Sequence, residues 1–142
     1  MKQESQDKKQ FERDKVKVYG PMRFLKSIKY SLDGLIHAYR YEQSLWIHGA
    51  AVLLAIILGF AFQIRLAEWA IIFIALGIIL ALELINTAIE AAVDLTTTEI
   101  HPLAKVAKDC GSAASFVMSI VSIVISLFVF GPYFLDLFDK IF

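Results

Sequence analysis

Uncharged apolar runs long enough to cross a bilayer constrain this chain more than any other feature. Leu45–Phe62 holds eighteen residues with no charged side chain, and Gly111–Leu135 is a second uncharged run. Between them Trp69–Leu82 is equally apolar, and the helical pattern continues to about residue 93 with carboxylates embedded in it. A spanning helix needs about 20 apolar residues, within a range of about 17–25. The fold class that follows is an all-α integral membrane protein with spans near 45–62, 69–93 and 111–135. Composition agrees. The chain is 58% hydrophobic and 20% charged, where soluble domains average about 45–50% and about 25%. Trp69 opens the second span where an aromatic belt residue belongs.

The formal net charge is zero, but ten of the fourteen Lys and Arg lie before residue 41. Residues 1–20 are polar, contain no apolar h-region and read as a flexible tail, with no cleavable signal peptide. From Arg23 the pattern changes. Phe24, Leu25, Ile28, Leu32, Leu35, Ile36 and Tyr39 recur at helical spacing, with Arg23, Lys26, Lys29 and Asp33 between them. That predicts an amphipathic helix over about 23–43, lying in the headgroup layer. Lys105 and Lys108 in the second connector join this basic side, while Arg65 and Lys140 fall on the other. Basic-residue bias therefore predicts a cytoplasmic amino terminus and a carboxyl terminus outside the cytoplasm. No nucleic-acid partner is expected.

The second span carries the chemistry. At about 100° per residue, Glu83, Asn86, Thr87, Glu90 and Asp94 fall within an arc of about 100°. Ile85, Ala88, Ile89 and Ala92 form the opposite face. Ionisable groups inside a membrane are expensive and point to function by default. Packing between helices explains Asn86 and Thr87 well. It explains Glu83 and Glu90 poorly, because Gln would serve without a charge. Two turns, about 10 Å, separate the two carboxylates, so they do not ligate one metal ion together. Glu90 lies nearer the polar connector, within reach of a hydrated, nucleotide-bound cation. Glu83 lies deeper, where a lipid hydroxyl arrives.

The connector, near 94–109, adds Glu99, His101, Lys105, Lys108 and Asp109, and Pro102 argues against one unbroken helix there. Lys108 suits either an anionic phosphate or a salt-bridged neighbour. His48 reads as a snorkelling interface residue. Ser112, Ser115, Ser119, Ser122 and Ser126 form a narrow seam of small residues for close helix packing. The single Cys110 excludes an intrachain disulfide. Neither Gly-x-x-x-x-Gly-Lys nor Gly-x-Gly-x-x-Gly occurs, so a nucleotide would bind without a phosphate loop. One copy has too few helices to enclose a site, which predicts a homo-oligomer.

Glu83-Leu-Ile-Asn-Thr-Ala-Ile-Glu-Ala-Ala-Val-Asp94, followed by His101 and Ala107-Lys-Asp-Cys-Gly-Ser-Ala-Ala114, resembles the signature of the small prokaryotic diacylglycerol kinases, a family that includes the undecaprenol kinases. The likeness runs from Arg23 to about Leu127. It implies a homotrimer of three-span subunits with an amphipathic surface helix, with active sites at the cytoplasmic interface. It also implies phosphoryl transfer from Mg-ATP to a membrane lipid alcohol in a bacterial plasma (inner) membrane. By position, Glu83 would be the general base, supported by Asn86. Glu42 and Glu90 would hold Mg²⁺. Lys108, Asp109, Glu99 and His101 would contact ATP. Arg23 and Tyr30 would line the nucleotide and lipid site, and Ser112 would lie near the lipid. His101-Pro-Leu-Ala-Lys resembles the undecaprenol kinases and Cys110-Gly-Ser-Ala-Ala the diacylglycerol kinases, so the acceptor stays open between the two lipids. The alternative from another class is a small oligomeric transport or proton-relay protein, whose carboxylate stripe would carry ions.

Overall fold

The computed structural model describes residues 21–96 and 101–142, and these residues form four helices. They are α1 (Pro21–Tyr41), α2 (Gln43–Phe62), α3 (Leu66–Thr96) and α4 (Pro102–Ile141). The last three are long and apolar enough to cross a membrane. Only 17%, 33% and 22% of their most apolar windows are buried within the chain. Exposed side chains such as Phe60, Phe73, Phe116 and Phe128 make an apolar surface far beyond what a water-soluble monomer presents. Residues 1–20 and Glu99, for which the sequence carried a tail and an ATP contact, lie outside the described residues.

By compactness the chain divides after Ile36. The first unit contains most of α1, where Arg23 and Tyr30 are exposed. The second begins at His37 and holds the end of α1 with α2, α3 and α4. Within it α3 packs chiefly on α4, and α2 contacts both.

Each helix boundary has a local cause. Glu42 alone separates α1 from α2, with an extended backbone (φ −104°, ψ 113°) that breaks the helix. Gln63 closes α2 in the left-handed region (φ 52°, ψ 47°). Its N–H donates to Phe60 O and that of Ile64 to Gly59 O, the paired bonds of a Schellman cap. At the start of α3, Glu68 accepts from the Arg65 backbone N–H at 2.8 Å, as the third residue of a capping box does. His101 caps α4, its Nδ1 accepting from the Leu103 N–H at 3.2 Å.

Two boundaries differ from the sequence expectation. The second connector is shorter than 94–109, because α3 continues to Thr96 and α4 starts at Pro102. Pro102 occupies the first helical position, where no N–H is required, and so opens the helix. At the other end α4 runs on past residue 135 to Ile141, with Pro132 inside it.

The apolar core sits towards the α2–α3 turn. Ala55, Ile64, Ile72, Leu76, Val129 and Phe130 are buried together there, and Trp69 closes over Gly59, where a Cβ would stand 2.5 Å from the ring.

Candidate active site

At the other end of the bundle the buried residues of α3 are polar. Glu83 is 6% exposed and Asn86 8%. The Glu83 carboxylate is held from α2 on both oxygens. Ser44 Oγ donates to Oε2 at 2.9 Å, and His48 Nε2 lies 3.1 Å from Oε1. Ser44 and His48 are one turn apart, so a single face of α2 supplies both contacts. His48 is thus turned inward, with only 14% of its side chain exposed, and does not snorkel. The fully buried Leu45 anchors this turn of α2.

One turn on, Asn86 donates from Nδ2 to Glu90 Oε1 at 3.0 Å. Its support thus goes to Glu90 rather than to Glu83, because α2 has already drawn Glu83 away. Asn86 Oδ1 is buried and finds no hydrogen-bond partner among the described residues. It faces Gly111 of α4, where a Cβ would stand 2.4 Å away. Only a glycine lets the amide sit between the two helices. Thr87 returns its hydroxyl to the Glu83 carbonyl at 3.0 Å and takes no part in the carboxylate's contacts.

The mouth of the site is charged. Lys108 Nζ donates to Asp94 at 2.5 Å, which ties the start of α4 to the end of α3. Lys105 pairs with Asp109 one turn along the same helix. Lys108, read from sequence as a phosphate contact or a salt-bridge partner, is therefore in a salt bridge here, as is Lys105. Ser112 is exposed, as is His101, whose ring serves as the cap of α4. Glu42 is half-buried at the α1–α2 break, and Glu90 is half-buried on α3.

Among the described residues no group of three or more His, Cys, Asp or Glu is arranged to hold a metal ion. The donors present still suit magnesium. That ion takes hard oxygen ligands, commonly one or two carboxylates plus substrate phosphates, and keeps several waters. Glu90 and Glu42 are of that kind.

A cavity of about 540 Å³ opens beside the carboxylate site, bounded by α2, α3 and α4. Its lining is apolar apart from His48 at one end and Ser119, Ser122 and Ser126 of the serine seam. Ser115 and Ser122 are buried, while Ser112 is exposed, so the seam meets its neighbours along only part of its length.

Ser44 and His48 were the contacts that sequence reasoning missed. The available signal was two polar residues four apart at the start of an otherwise apolar span.

Comparison with known proteins identifies the family. The family model described as prokaryotic diacylglycerol kinase matches residues 29–130. The undecaprenol kinase of Bacillus subtilis (strain 168) is 42% identical over 110 residues, covering 78% of this chain and 89% of the relative. A diacylglycerol kinase of Helicobacter pylori (strain 26695) is 36% identical over 124 residues, covering 87% and 94%. The diacylglycerol kinase of Pseudomonas aeruginosa is 41% identical over 101 residues, covering 69% and 80%. With the family model spanning most of the three helices and the carboxylate stripe, the chain belongs to the prokaryotic diacylglycerol kinase family.

Proposed function

We propose that the protein transfers the γ-phosphoryl group of Mg-ATP to the hydroxyl of a membrane lipid alcohol, diacylglycerol or undecaprenol, with Glu83 as general base. Family membership makes it an ATP-dependent lipid kinase. It also displaces the transport or proton-relay reading of the stripe. The observation that carries the finer reading is Glu83 itself, a carboxylate buried at span depth and held by Ser44 and His48. Such a group is poised to take a proton from a hydroxyl within reach. The apolar cavity that shares His48 with it suits an acceptor bearing a hydrocarbon tail.

In this reading Glu83 accepts the hydroxyl proton as the lipid oxygen bonds to the γ-phosphorus. The bond to the β-phosphate oxygen breaks, and ADP leaves with its electron pair. Glu90, steadied by Asn86, would hold Mg²⁺ together with Glu42. The ion neutralises charge on the phosphates when bound. Lys108 exchanges Asp94 for a phosphate oxygen. Asp109, Glu99, His101, Arg23 and Tyr30 complete the nucleotide contacts, and Arg23 and Ser112 those to the lipid. The working unit is a homotrimer in which residues 21–142 of each chain form the kinase domain, with residues 1–20 outside it. α1 lies as an amphipathic helix in the headgroup layer. Amino terminus and active sites face the cytoplasm, as the basic bias of that side requires.

The test is ADP release by purified protein in lipid micelles with Mg-ATP and either diacylglycerol or undecaprenol. Release that depends on one alcohol, with recovery of its phosphate ester, supports the reading and names the acceptor. ATP consumption indifferent to both lipids, or no consumption with either, overturns it.

A further inference from the structure

The contacts of Glu83 have a chemical bias. An ionised carboxylate only accepts hydrogen bonds, so both of its partners must donate. Ser44 does so through its hydroxyl. His48 does so only if the proton of the neutral ring sits on Nε2, the nitrogen 3.1 Å from Oε1. Among the described residues, the imidazole is the only basic side chain within hydrogen-bonding distance of Glu83. Around it, α4 offers the hydroxyls of Ser119 and Ser122 in the shared cavity. The charged groups nearer the mouth are already engaged: Glu90 with Asn86, Lys108 with Asp94, and Lys105 with Asp109. A lysine or arginine here would neutralise the carboxylate permanently. A serine and a histidine hold it in place through two donated hydrogen bonds and leave its remaining lone pairs to meet a proton.

We propose that His48 is a positioning residue of the phosphoryl transfer, its Nε2–H fixing one oxygen of Glu83 while Ser44 fixes the other. The side chain is then held in the rotamer that aims its remaining lone pairs at the lipid hydroxyl. The proposal rests on the reading of Glu83 as the base. It adds that the base is aimed from α2 by an imidazole with a defined tautomer. His48 touches no reacting atom, so its effect falls on turnover and leaves nucleotide binding alone.

Two measurements on the full-length protein in lipid micelles test this. Steady-state rates with Mg-ATP and the acceptor lipid are compared for wild type, His48→Leu, His48→Gln and Glu83→Gln. His48→Leu keeps the bulk and removes the donor, and should lower kcat by about ten- to hundred-fold with KM for ATP unchanged. His48→Gln restores an N–H donor and should recover most of that loss. A purely structural role for the ring predicts no such difference between Leu and Gln. Independently, ¹⁵N spectra of histidine-labelled wild type should show His48 Nε2 protonated, its signal moving in Glu83→Gln. The chain has only three histidines, so assignment by replacing His37 and His101 is direct.

A bare Nε2 in the folded wild type overturns the proposal whatever the variants do, including a His48→Leu that fails to fold. So does a His48→Leu enzyme with wild-type kcat beside an inactive Glu83→Gln, a pattern that leaves the base reading standing. Wild-type turnover by Glu83→Gln is the separate result that removes the base reading itself.

Discussion

Two carboxylates of α3, Glu68 and Glu83, stand about 22 Å apart along the helix axis and are treated in opposite ways. Glu68 accepts from the Arg65 backbone at 2.8 Å, from the Arg65 guanidinium at 2.8 Å and from the Tyr133 hydroxyl at 2.7 Å. The hydrogen bond to Glu68 and the carboxylate's charge hold Arg65 above its already high range, so its guanidinium remains a permanent cation. Around it Phe62 stacks on Tyr133, and the apolar core begins. Among the described residues Glu83 is held only by a serine and a histidine, and the side-chain oxygen of Asn86, one turn on, has no partner. A carboxylate that serves the fold is saturated and paired with a permanent cation. Glu83, the proposed base, is fixed in place by Ser44 and His48 with no lysine or arginine beside it among the described residues.

The sharpest way to break this contrast is to replace each acid by its amide. Glu83→Gln should cut phosphorylation by at least about 10²–10⁴-fold, the range of general-base catalysis, with melting temperature and nucleotide binding preserved. A neutral amide is easier to bury than a charge. Glu68→Gln should do the reverse, lowering the melting temperature while turnover stays near normal. Initial rate and thermal denaturation of the two proteins side by side decide. A near-normal rate for Glu83→Gln sinks the base assignment, and an inactive but stable Glu68→Gln erases the contrast.

Next in size is Glu90→Gln. The Mg²⁺ concentration for half-maximal rate should rise by at least about ten-fold, the loss that outer-shell partners alone commonly produce. A titration that overlays wild type would remove Glu90 from the metal site.

The two tight glycines extend the contrast to packing. Gly111→Ala would press on Asn86 Oδ1 and displace the amide that steadies Glu90. Its rate should fall about ten-fold, in line with the sensitivity of catalysis to small displacements. Gly59→Ala would press on the Trp69 ring instead. It should cost about 1–3 kcal/mol of stability, as overpacking does, with turnover intact. Equal effects of the two substitutions on rate would show that the ends of the bundle are not separable.

The smallest effect is expected from deleting residues 1–20. Their polar composition precedes every residue assigned to the site, and specific activity should stay within a few-fold. Loss to background in a protein of unchanged assembly would place the tail in the active site.

Much of this was legible in the sequence, and the remainder has physical reasons. Apolar run length gave all three spanning candidates. The helical arc containing Glu83, Asn86 and Glu90 needed only the 3.6-residue period. Pro102 rightly argues against one unbroken helix, but the connector is shorter than expected because a proline stops a helix from within and starts one at its first turn. The partner of Asn86 could not be read from α3 alone, since residues three and four apart are both neighbours on a helix. What decides it is the pull of α2 on Glu83. The pairings of Ser44 and His48 with Glu83, and of Lys108 with Asp94, depend on the register between helices, which spacing within one segment does not encode.

The His48–Glu83 contact also bears on how the protein is made. An ionised residue near the centre of a spanning helix raises insertion free energy by about 2.5–3.5 kcal/mol, and α3 carries Glu83 and Glu90 in one segment. The apolar first half of α3, from Trp69 to Leu82, provides the compensating drive for partition. The donors for Glu83 lie upstream on α2, joined to α3 through the capped turn at Gln63, so they are synthesised before the carboxylate that needs them. The order of α2 before α3 thus suits entry into the bilayer as a hairpin, in which Glu83 finds Ser44 and His48 already made.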